Sequence, residues 1–208
     1  MREGARYLDD FASGTTVLGN AFQQAGRGVA VGGGRDNVIE NNLFVDCAAA
    51  IQIDSRGQTW ARTWLENKNS RLHKSFTLLD VDSDEVRNRY GNLRDFLTDA
   101  PGLAKNNRVV RNAVFGGSGV ELHDGLTAVD VHLDANFHDT KQRVALDQHE
   151  DPRQFHRLPD LANGFDQLPL ERMGRTKLSP VTNPLVLLPL PATDGRDHDA
   201  LTSRRRED

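Results

Sequence analysis

Cysteine is nearly absent from this 208-residue chain, in which Cys47 stands alone. A single cysteine forms no internal disulfide bond and excludes a zinc site built from several thiolates. The chain also lacks an apolar run long enough to cross a bilayer. Its 26 Lys and Arg residues do not outnumber its 30 Asp and Glu residues, so nothing indicates the basic face that nucleic acids require. We therefore expect neither a nucleic acid nor a membrane as a partner.

Signatures of nucleotide and metal binding are missing as well. The glycine-rich run GRGVAVGGG (Gly26–Gly34) contains no G-x-G-x-x-G between a strand and a helix, and the chain has no G-K-[ST]. The run DVDSDEVRNRYG (Asp80–Gly91) begins like a calcium loop, but Glu85 stands where such a loop needs glycine. We therefore interpret Asp80–Gly91 as an acidic surface segment and expect no cofactor and no metal ion.

What the chain does contain is a short β-run with an asparagine, repeated four times. The copies are TTVLGNAF (Thr15–Phe22), NVIENNLF (Asn37–Phe44), NRVVRNAV (Asn107–Val114) and VHLDANF (Val131–Phe137). Asn20 and Asn42 are 22 positions apart (42 − 20), and Asn112 and Asn136 are 24 apart (136 − 112). A period of about 20–25 residues is typical of a solenoid, whose coils bury their inner faces by stacking. We expect the four asparagines to be structural and to hydrogen-bond along the stack.

A second strand in each coil is predicted by alternating apolar residues. It is found in RYLDD (Arg6–Asp10), GVAVGGG (Gly28–Gly34), AIQIDSRG (Ala50–Gly57) and GVELHDG (Gly119–Gly125). The alternation directs Leu8, Val31, Ile53 and Leu122 into the core. Together with the asparagine run, this pattern predicts an all-β, parallel β-helix solenoid with two strands per coil.

The repeat is interrupted once and then fades. Residues 58–105 form an insertion after the second full coil, with helical or irregular sequence. In it, Asn92–Leu97 has helical spacing, and Trp60 and Trp64 either anchor the insertion or stack on sugar rings. The run GFDQLPLERMG (Gly164–Gly174) is expected to close the last coil. The predicted domains are a short β-helix at 1–174 and a disordered tail at 175–208.

Five runs carry a resemblance to a known family: YLDDFASG, TVLGNAF, GRGVAVGGGRDNVIENNLFVDC, IDSRG and GFDQLPLERMG. Together they resemble bacterial right-handed parallel β-helix proteins of the pectate-lyase-like superfamily, over roughly residues 4–174. The resemblance implies a right-handed β-helix, a polysaccharide or oligosaccharide partner, and a secreted or periplasmic location. No signal peptide opens the chain. Family members have many more coils, and no capping element precedes the first coil here, so we expect the chain to continue from N-terminal coils that it lacks.

The predicted register aligns outward-facing acids in columns. One column contains Asp9, Gly32, Asp54 and His123, and the next contains Asp10, Gly33, Ser55 and Asp124. Because coils stack at about 4.8 Å, Asp9 and Asp54 are expected about 9–10 Å apart, across a floor of bare glycine where a sugar ring can lie. Inverting glycosidases use carboxyl groups about 6.5–9.5 Å apart. Asp54 with Asp9 or Asp10 is therefore the predicted acid/base pair.

Further site candidates flank these columns. Asp36 in GGGRDN is the third catalytic candidate, although an aspartate at a coil corner also caps its own turn. Arg35 and Arg56 suit bidentate binding of a carboxylated sugar, while a local ion pair between Asp54 and Arg56 is an equal alternative. The remaining expected substrate contacts are Gln52, His123 and Asp124.

Three functions stay open at this point. The first is hydrolysis of a glycosidic bond by the paired aspartates. The second is elimination or epimerisation of a uronic-acid polymer, for which Arg56 and His123 are the base candidates and Ca²⁺ or arginine neutralises charge. Calcium is expected only under this alternative. The third is a non-catalytic, carbohydrate-binding or structural fragment of a larger β-helix protein.

Overall fold

The computed structural model describes residues 6–141, 164–166 and 168. The expected tail at 175–208 and most of the expected closing segment at 164–174 lie outside the described residues. Within the described ranges, no helix is long and apolar enough to cross a membrane.

Short parallel strands form three sheets of four strands each in this part of the chain. The first sheet contains β1 (Arg6–Leu8), β4 (Arg27–Gly32), β7 (Ala49–Asp54) and β10 (Ser118–Leu122). The second contains β2 (Thr16–Leu18), β5 (Val38–Glu40), β8 (Asn107–Val110) and β11 (Val131–Asp134). The third contains β3 (Ala21–Gln23), β6 (Leu43–Val45), β9 (Ala113–Phe115) and β12 (Phe137–Asp139). Each coil contributes one strand to each sheet, so the fold is a parallel β-helix-like solenoid.

Each coil has three strands, not the two that the alternation predicts. The asparagine run of the first coil divides into β2 and β3 at Gly19 and Asn20. Gly19 (φ 67°), Asn41 (φ 50°), Arg111 (φ 52°) and Ala135 (φ 50°) lie in the left-handed region at these corners, where the chain turns sharply. The prediction missed this turn because arginine and alanine seldom occupy that region and so do not mark it in the sequence.

The predicted register of the first sheet is confirmed. Leu8 pairs with Val31, and Ile53 pairs with both Val31 and Leu122. Val31 and Ile53 are buried, and Leu8 and Leu122 pack against the same core. The inner faces of all coils therefore form one continuous apolar core, stabilised by burial of apolar surface.

The expected asparagine ladder is present. It consists of Asn20, Asn42, Asn112 and Asn136. Asn42 donates from Nδ2 to Asn112 Oδ1 (3.0 Å), while its own Oδ1 accepts from the main-chain N–H of Asn20 (2.9 Å). A second, shorter ladder joins Asn37 Nδ2 to Asn107 Oδ1 (3.0 Å). Both ladders satisfy main-chain groups that the coil corners leave without a strand partner.

The insertion, expected to be helical or irregular, lies wholly within the described residues and contains three short helices. It contains α1 (Arg62–Glu66), α2 (Arg71–Leu79) and α3 (Asp84–Arg89), with 3₁₀ turns at Arg56–Gln58 and Gly91–Leu93. The side chains of Ser70 and Ser83 accept hydrogen bonds from the first turns of α2 and α3. The helix expected at Asn92–Leu97 is reduced to the second 3₁₀ turn. The side chain of Phe96 is nevertheless buried in a small core with Phe11 and Ala61, which attaches the insertion to the first coil.

Candidate functional site

Arg56 is the centre of the first-sheet surface that carries the predicted acids. It follows β7 directly, where Ser55 is buried and its hydroxyl accepts from the Ala104 N–H (2.9 Å). That hydrogen bond fixes the chain at the point where the insertion leaves and rejoins the solenoid. The Arg56 side chain lies over the outer face of the first sheet, in contact with Gly32 of β4, and only 4% of it is exposed.

Three carboxylates and a phenol surround the Arg56 guanidinium. Asp54 accepts two hydrogen bonds, from Nε (2.9 Å) and Nη2 (2.8 Å). Asp9 accepts from Nη1 (2.6 Å), Asp10 Oδ1 lies 3.8 Å from the same nitrogen, and the Tyr7 hydroxyl oxygen accepts from Nη2 (2.6 Å). The structure thus brings Asp9, Asp10 and Asp54 together, but around an arginine rather than around open space.

The predicted glycine floor is filled, which corrects the expectation of an empty trough. A Cβ atom built on Gly32 would lie 2.4 Å from Arg56 Cζ, so the guanidinium rests directly on this glycine. At Gly33 a Cβ atom would lie 2.7 Å from Phe11 Cδ1. The glycines are needed for close approach by side chains of the protein itself, and no sugar ring fits on this floor while Arg56 and Phe11 cover it.

Asp10 does not stack above Gly33 as the second column requires. Leu8 pairs with Val31 and Thr16 pairs with Val38, so the first coil holds one residue more than the second over this stretch (16 − 8 against 38 − 31). The Phe11 N–H, not that of Asp10, donates to the Gly32 carbonyl (2.8 Å). Asp10 and Phe11 both have positive φ, and Asp10 projects from the corner as the additional residue.

The pKa values of Asp9 and Arg56 are shifted in the directions that favour their charged forms. Partial burial would raise the pKa of Asp9, but hydrogen bonds from the Asp10 N–H, Arg56 and Tyr7 outweigh burial and hold that pKa below its usual value. The hydrogen bonds to Asp54 are the main cause of a raised pKa for Arg56, despite burial. A guanidinium held in this way cannot accept a proton, so Arg56 is not placed to act as a base.

Two exposed aromatic rings border the cluster. The Arg56 Cζ atom lies 5.5 Å from the Tyr7 ring centroid and 5.2 Å from that of Trp60. Tyr7 is 45% exposed and Trp60 is 62% exposed. Trp64 packs edge-on against Phe11 (6.4 Å between centroids) and anchors the insertion, and Trp60, the more exposed ring, packs edge-on against Trp64 (5.5 Å). We call this surface the Arg56 face, comprising Tyr7, Asp9, Asp10, Asp54, Arg56 and Trp60.

Arg35 and Asp36 lie apart from the Arg56 face, at the junction with the insertion. Arg35 is 1% exposed, and its Nη2 donates to the carbonyl oxygens of Asp99 (3.0 Å) and Ala100 (3.1 Å). Its Cζ atom lies 4.8 Å from the Phe96 ring centroid. Burial lowers the pKa of Arg35. Arg35 therefore holds the insertion in place, which corrects the expectation that it contacts a carboxylated sugar.

The remaining candidates are spread along the same sheet and beyond it. The His123 N–H continues the ladder to the Ile53 carbonyl (2.9 Å), and its ring lies 3.4 Å from Glu121, a neighbour that sequence reasoning did not select. Gln52 pairs with Glu121 on the outer face. Asp124 has a φ of 58° at the following corner. None of these three side chains forms a hydrogen bond or a salt bridge with Arg56.

A cavity of about 630 Å³ lies between the first two coils and the insertion. It is lined by Asp10 and Asp36, by Phe11 and Phe96, and by residues of α2 and α3. Asp36 Oδ1 accepts a hydrogen bond from Asn92 Nδ2 (2.9 Å). The structure therefore brings two of the four catalytic candidates, Asp10 and Asp36, to one cavity, an arrangement that the column pattern does not predict.

Comparison with known proteins adds no assignment: no protein-family model matches the chain, and neither a curated protein nor a solved structure matches it. Among the described residues, no group of three or more His, Cys, Asp or Glu side chains is arranged to hold a metal ion.

Proposed function

We propose that the chain is a β-helix module that binds a neutral polysaccharide or oligosaccharide at the Arg56 face, without cleaving it. The observation that carries this proposal is the pair of exposed rings, Tyr7 and Trp60, which both lie beside the Arg56 guanidinium to which the carboxylates are paired. Aromatic faces stack on the apolar faces of sugar rings, and ionised carboxylates accept hydrogen bonds from sugar hydroxyls.

The charge of the face favours a neutral sugar. Asp9, Asp10 and Asp54 carry three negative charges, against the positive charges of Arg56 and of Arg27, whose Cζ atom lies 5.5 Å from the Tyr7 ring centroid. A uronic-acid polymer would add negative charge to a surface that is already net negative, at a Coulombic cost. The neutral sugar is therefore the better partner, and the uronic-acid lyase or epimerase alternative loses Arg56 as a base because that side chain stays protonated, which leaves only His123 of its two base candidates.

Hydrolysis by Asp9 and Asp54 has less support than binding. A glycosidase needs one carboxyl group that keeps its proton near neutral pH, usually because its pKa is raised. The pKa of Asp9 is lowered, and Asp54 accepts two hydrogen bonds from Arg56. Asp9 is therefore held as a carboxylate, and both oxygens of Asp54 already accept from the Arg56 guanidinium.

Family and location are proposed on the sequence alone. The resemblance to right-handed β-helix proteins of the pectate-lyase-like superfamily supports a carbohydrate-related function and a secreted or periplasmic site. The three parallel sheets are consistent with that family and are equally compatible with other β-helix proteins.

Calorimetric titration with neutral hexasaccharides and with polygalacturonate tests the proposal. We expect a neutral sugar to bind and polygalacturonate not to bind. Replacing the exposed ring, Trp60→Ala, should weaken binding about tenfold, which corresponds to about 1.4 kcal/mol of lost stacking. Trp60→Phe keeps a ring and should lose less. Leu18→Ala, at an exposed apolar residue of the second sheet, is the matched control and should leave the affinity unchanged.

Two results would contradict the proposal. One is binding that Trp60→Ala leaves unchanged. The other is that the wild-type protein releases reducing ends from the sugar and a folded Asp54→Asn variant does not. That outcome would assign hydrolysis to the paired aspartates.

A further inference from the structure

The cavity between the solenoid and the insertion has the size of a small-molecule site. Its volume is about 630 Å³, and ligand pockets are typically about 300–1,000 Å³. One wall is the corner of the first coil, including Phe11 and Gly14, and the other is formed by α2, α3 and the 3₁₀ turn that follows. It is separate from the Arg56 face, with which it shares only Asp10.

Most of the cavity wall is apolar. Leu72, Phe76 and Leu93 line it and also pack on the core that attaches the insertion to the first coil. The Phe76 and Phe96 rings stack at 5.2 Å between centroids. An apolar wall on a fixed core offers burial to the apolar body of a ligand.

The polar lining residues include two acids and one base, together with Ser13, Ser75, Tyr90 and Asn92. Asp36 and Asp10 are the acidic lining residues, and Arg89 is the basic one, with its guanidinium over the neighbouring Tyr90 ring (5.5 Å to the centroid). Asp36 accepts a hydrogen bond from the neutral amide of Asn92 and forms no salt bridge among the described residues. The nearby Arg35 is covered by the insertion and donates to main-chain carbonyls.

From this arrangement we infer that the cavity binds a small organic cation. Its apolar body lies against Phe76, Leu93 and Phe96, and its protonated amine pairs with the Asp36 carboxylate. The side chain that hydrogen-bonds to this carboxylate in the protein is an amide, and Arg35 acts on Asp36 through a Coulombic interaction without a salt bridge. The amine therefore adds a direct charge-assisted hydrogen bond, which is stronger than a neutral one. This site is independent of carbohydrate binding at the Arg56 face.

Titration with three indole compounds of similar shape tests the inference. Tryptamine carries an amine, tryptophol a hydroxyl group, and indole-3-propionate a carboxylate. We expect tryptamine to bind the full chain about tenfold more tightly than tryptophol, which corresponds to about 1.4 kcal/mol, and indole-3-propionate to bind most weakly. Asp36→Asn should abolish the difference between amine and alcohol. Asparagine tolerates the φ of 58° at this position, so this variant retains its fold.

A pair of substitutions on α2 provides the steric control. Ser75 lines the cavity, so Ser75→Phe should block all three compounds, whereas Thr77, on the same helix, does not line it, and Thr77→Phe should leave binding unchanged. The inference fails if tryptamine does not bind, if indole-3-propionate binds as tightly, or if Asp36→Asn or Ser75→Phe leaves tryptamine binding intact. Loss of sugar binding in Trp60→Ala has no bearing on these outcomes.

Discussion

At the residue scale, the Arg56 guanidinium is the group around which the first-sheet surface is arranged. It carries one positive charge, and three carboxylates lie within 4 Å of its nitrogens. A buried charge is costly unless it is paired and hydrogen-bonded. The burial of Arg56 and the placement of Asp9 and Asp54 are therefore mutually dependent.

Asp9 gives this dependence a pH signature. Its pKa is lower in the folded chain than in the unfolded chain, so its contribution to the free energy of unfolding is present above about pH 4, the unfolded value, and is lost as the pH falls through the folded value. We expect Asp9→Asn to be less stable than wild type at pH 7, with the difference shrinking below about pH 4. Urea unfolding at several pH values measures it. A difference that stays constant from pH 7 to pH 3 would contradict the assigned pairing.

At the element scale, close packing of side chains on glycine links β4 to the segment after β7. Gly32 lies beneath Arg56. This contact explains why β4, whose preceding residues Val29, Ala30 and Val31 are apolar, ends in glycine. The insertion is held by an aromatic contact: Phe11 of the first coil packs against Phe96 at 5.9 Å between ring centroids.

Substitution of Gly32 tests this packing. A Cβ atom there would meet Arg56 at 2.4 Å, so Gly32→Ala should displace the guanidinium and lower the free energy of unfolding by about 1–3 kcal/mol, as overpacking does. Gly91→Ala is the matched control, because a Cβ atom there meets nothing within 4 Å, and its effect should stay within about 0.5 kcal/mol. Chemical denaturation of both variants measures the difference. Equal stabilities would show that Arg56 does not rest on Gly32.

At the scale of the whole molecule, the asparagine ladder crosses every described coil. An asparagine inside the stack hydrogen-bonds to both neighbouring coils: Asn42 donates to Val17 O (2.9 Å) in the preceding coil and to Asn112 in the following coil. Asn20, in the first described coil, hydrogen-bonds to Asn42 alone among the ladder residues. The stability of a solenoid is roughly the sum of the stability of each coil and of the contacts between neighbouring coils. The position of an asparagine along the stack should therefore determine how much it contributes to the free energy of unfolding.

The ladder predicts unequal effects of one substitution at two positions. Asn42→Ala removes the partners of the Asn20 N–H and the Val17 carbonyl in the preceding coil, and also the donor to Asn112 Oδ1 in the following coil. It should therefore cost about 3 kcal/mol of unfolding free energy, whereas Asn20→Ala should cost about 1 kcal/mol. Denaturant unfolding followed by far-ultraviolet circular dichroism compares the two. Equal losses at both positions would indicate that the ladder acts locally and not through the stack.

The sequence by itself determined the solenoid, the register of the first sheet and the asparagine ladder, because each depends on local periodicity. Leu8, Val31 and Ile53 alternate, and asparagine recurs once per coil. Only the tertiary structure decided the site. The additional residue at Asp10 shifts the first corner by one position, and the long side chain of Arg56 reaches back across the sheet onto Gly32. The alternation of apolar residues shows neither effect. The conformation of a flexible side chain and the position of an additional residue are determined by the tertiary contacts around them.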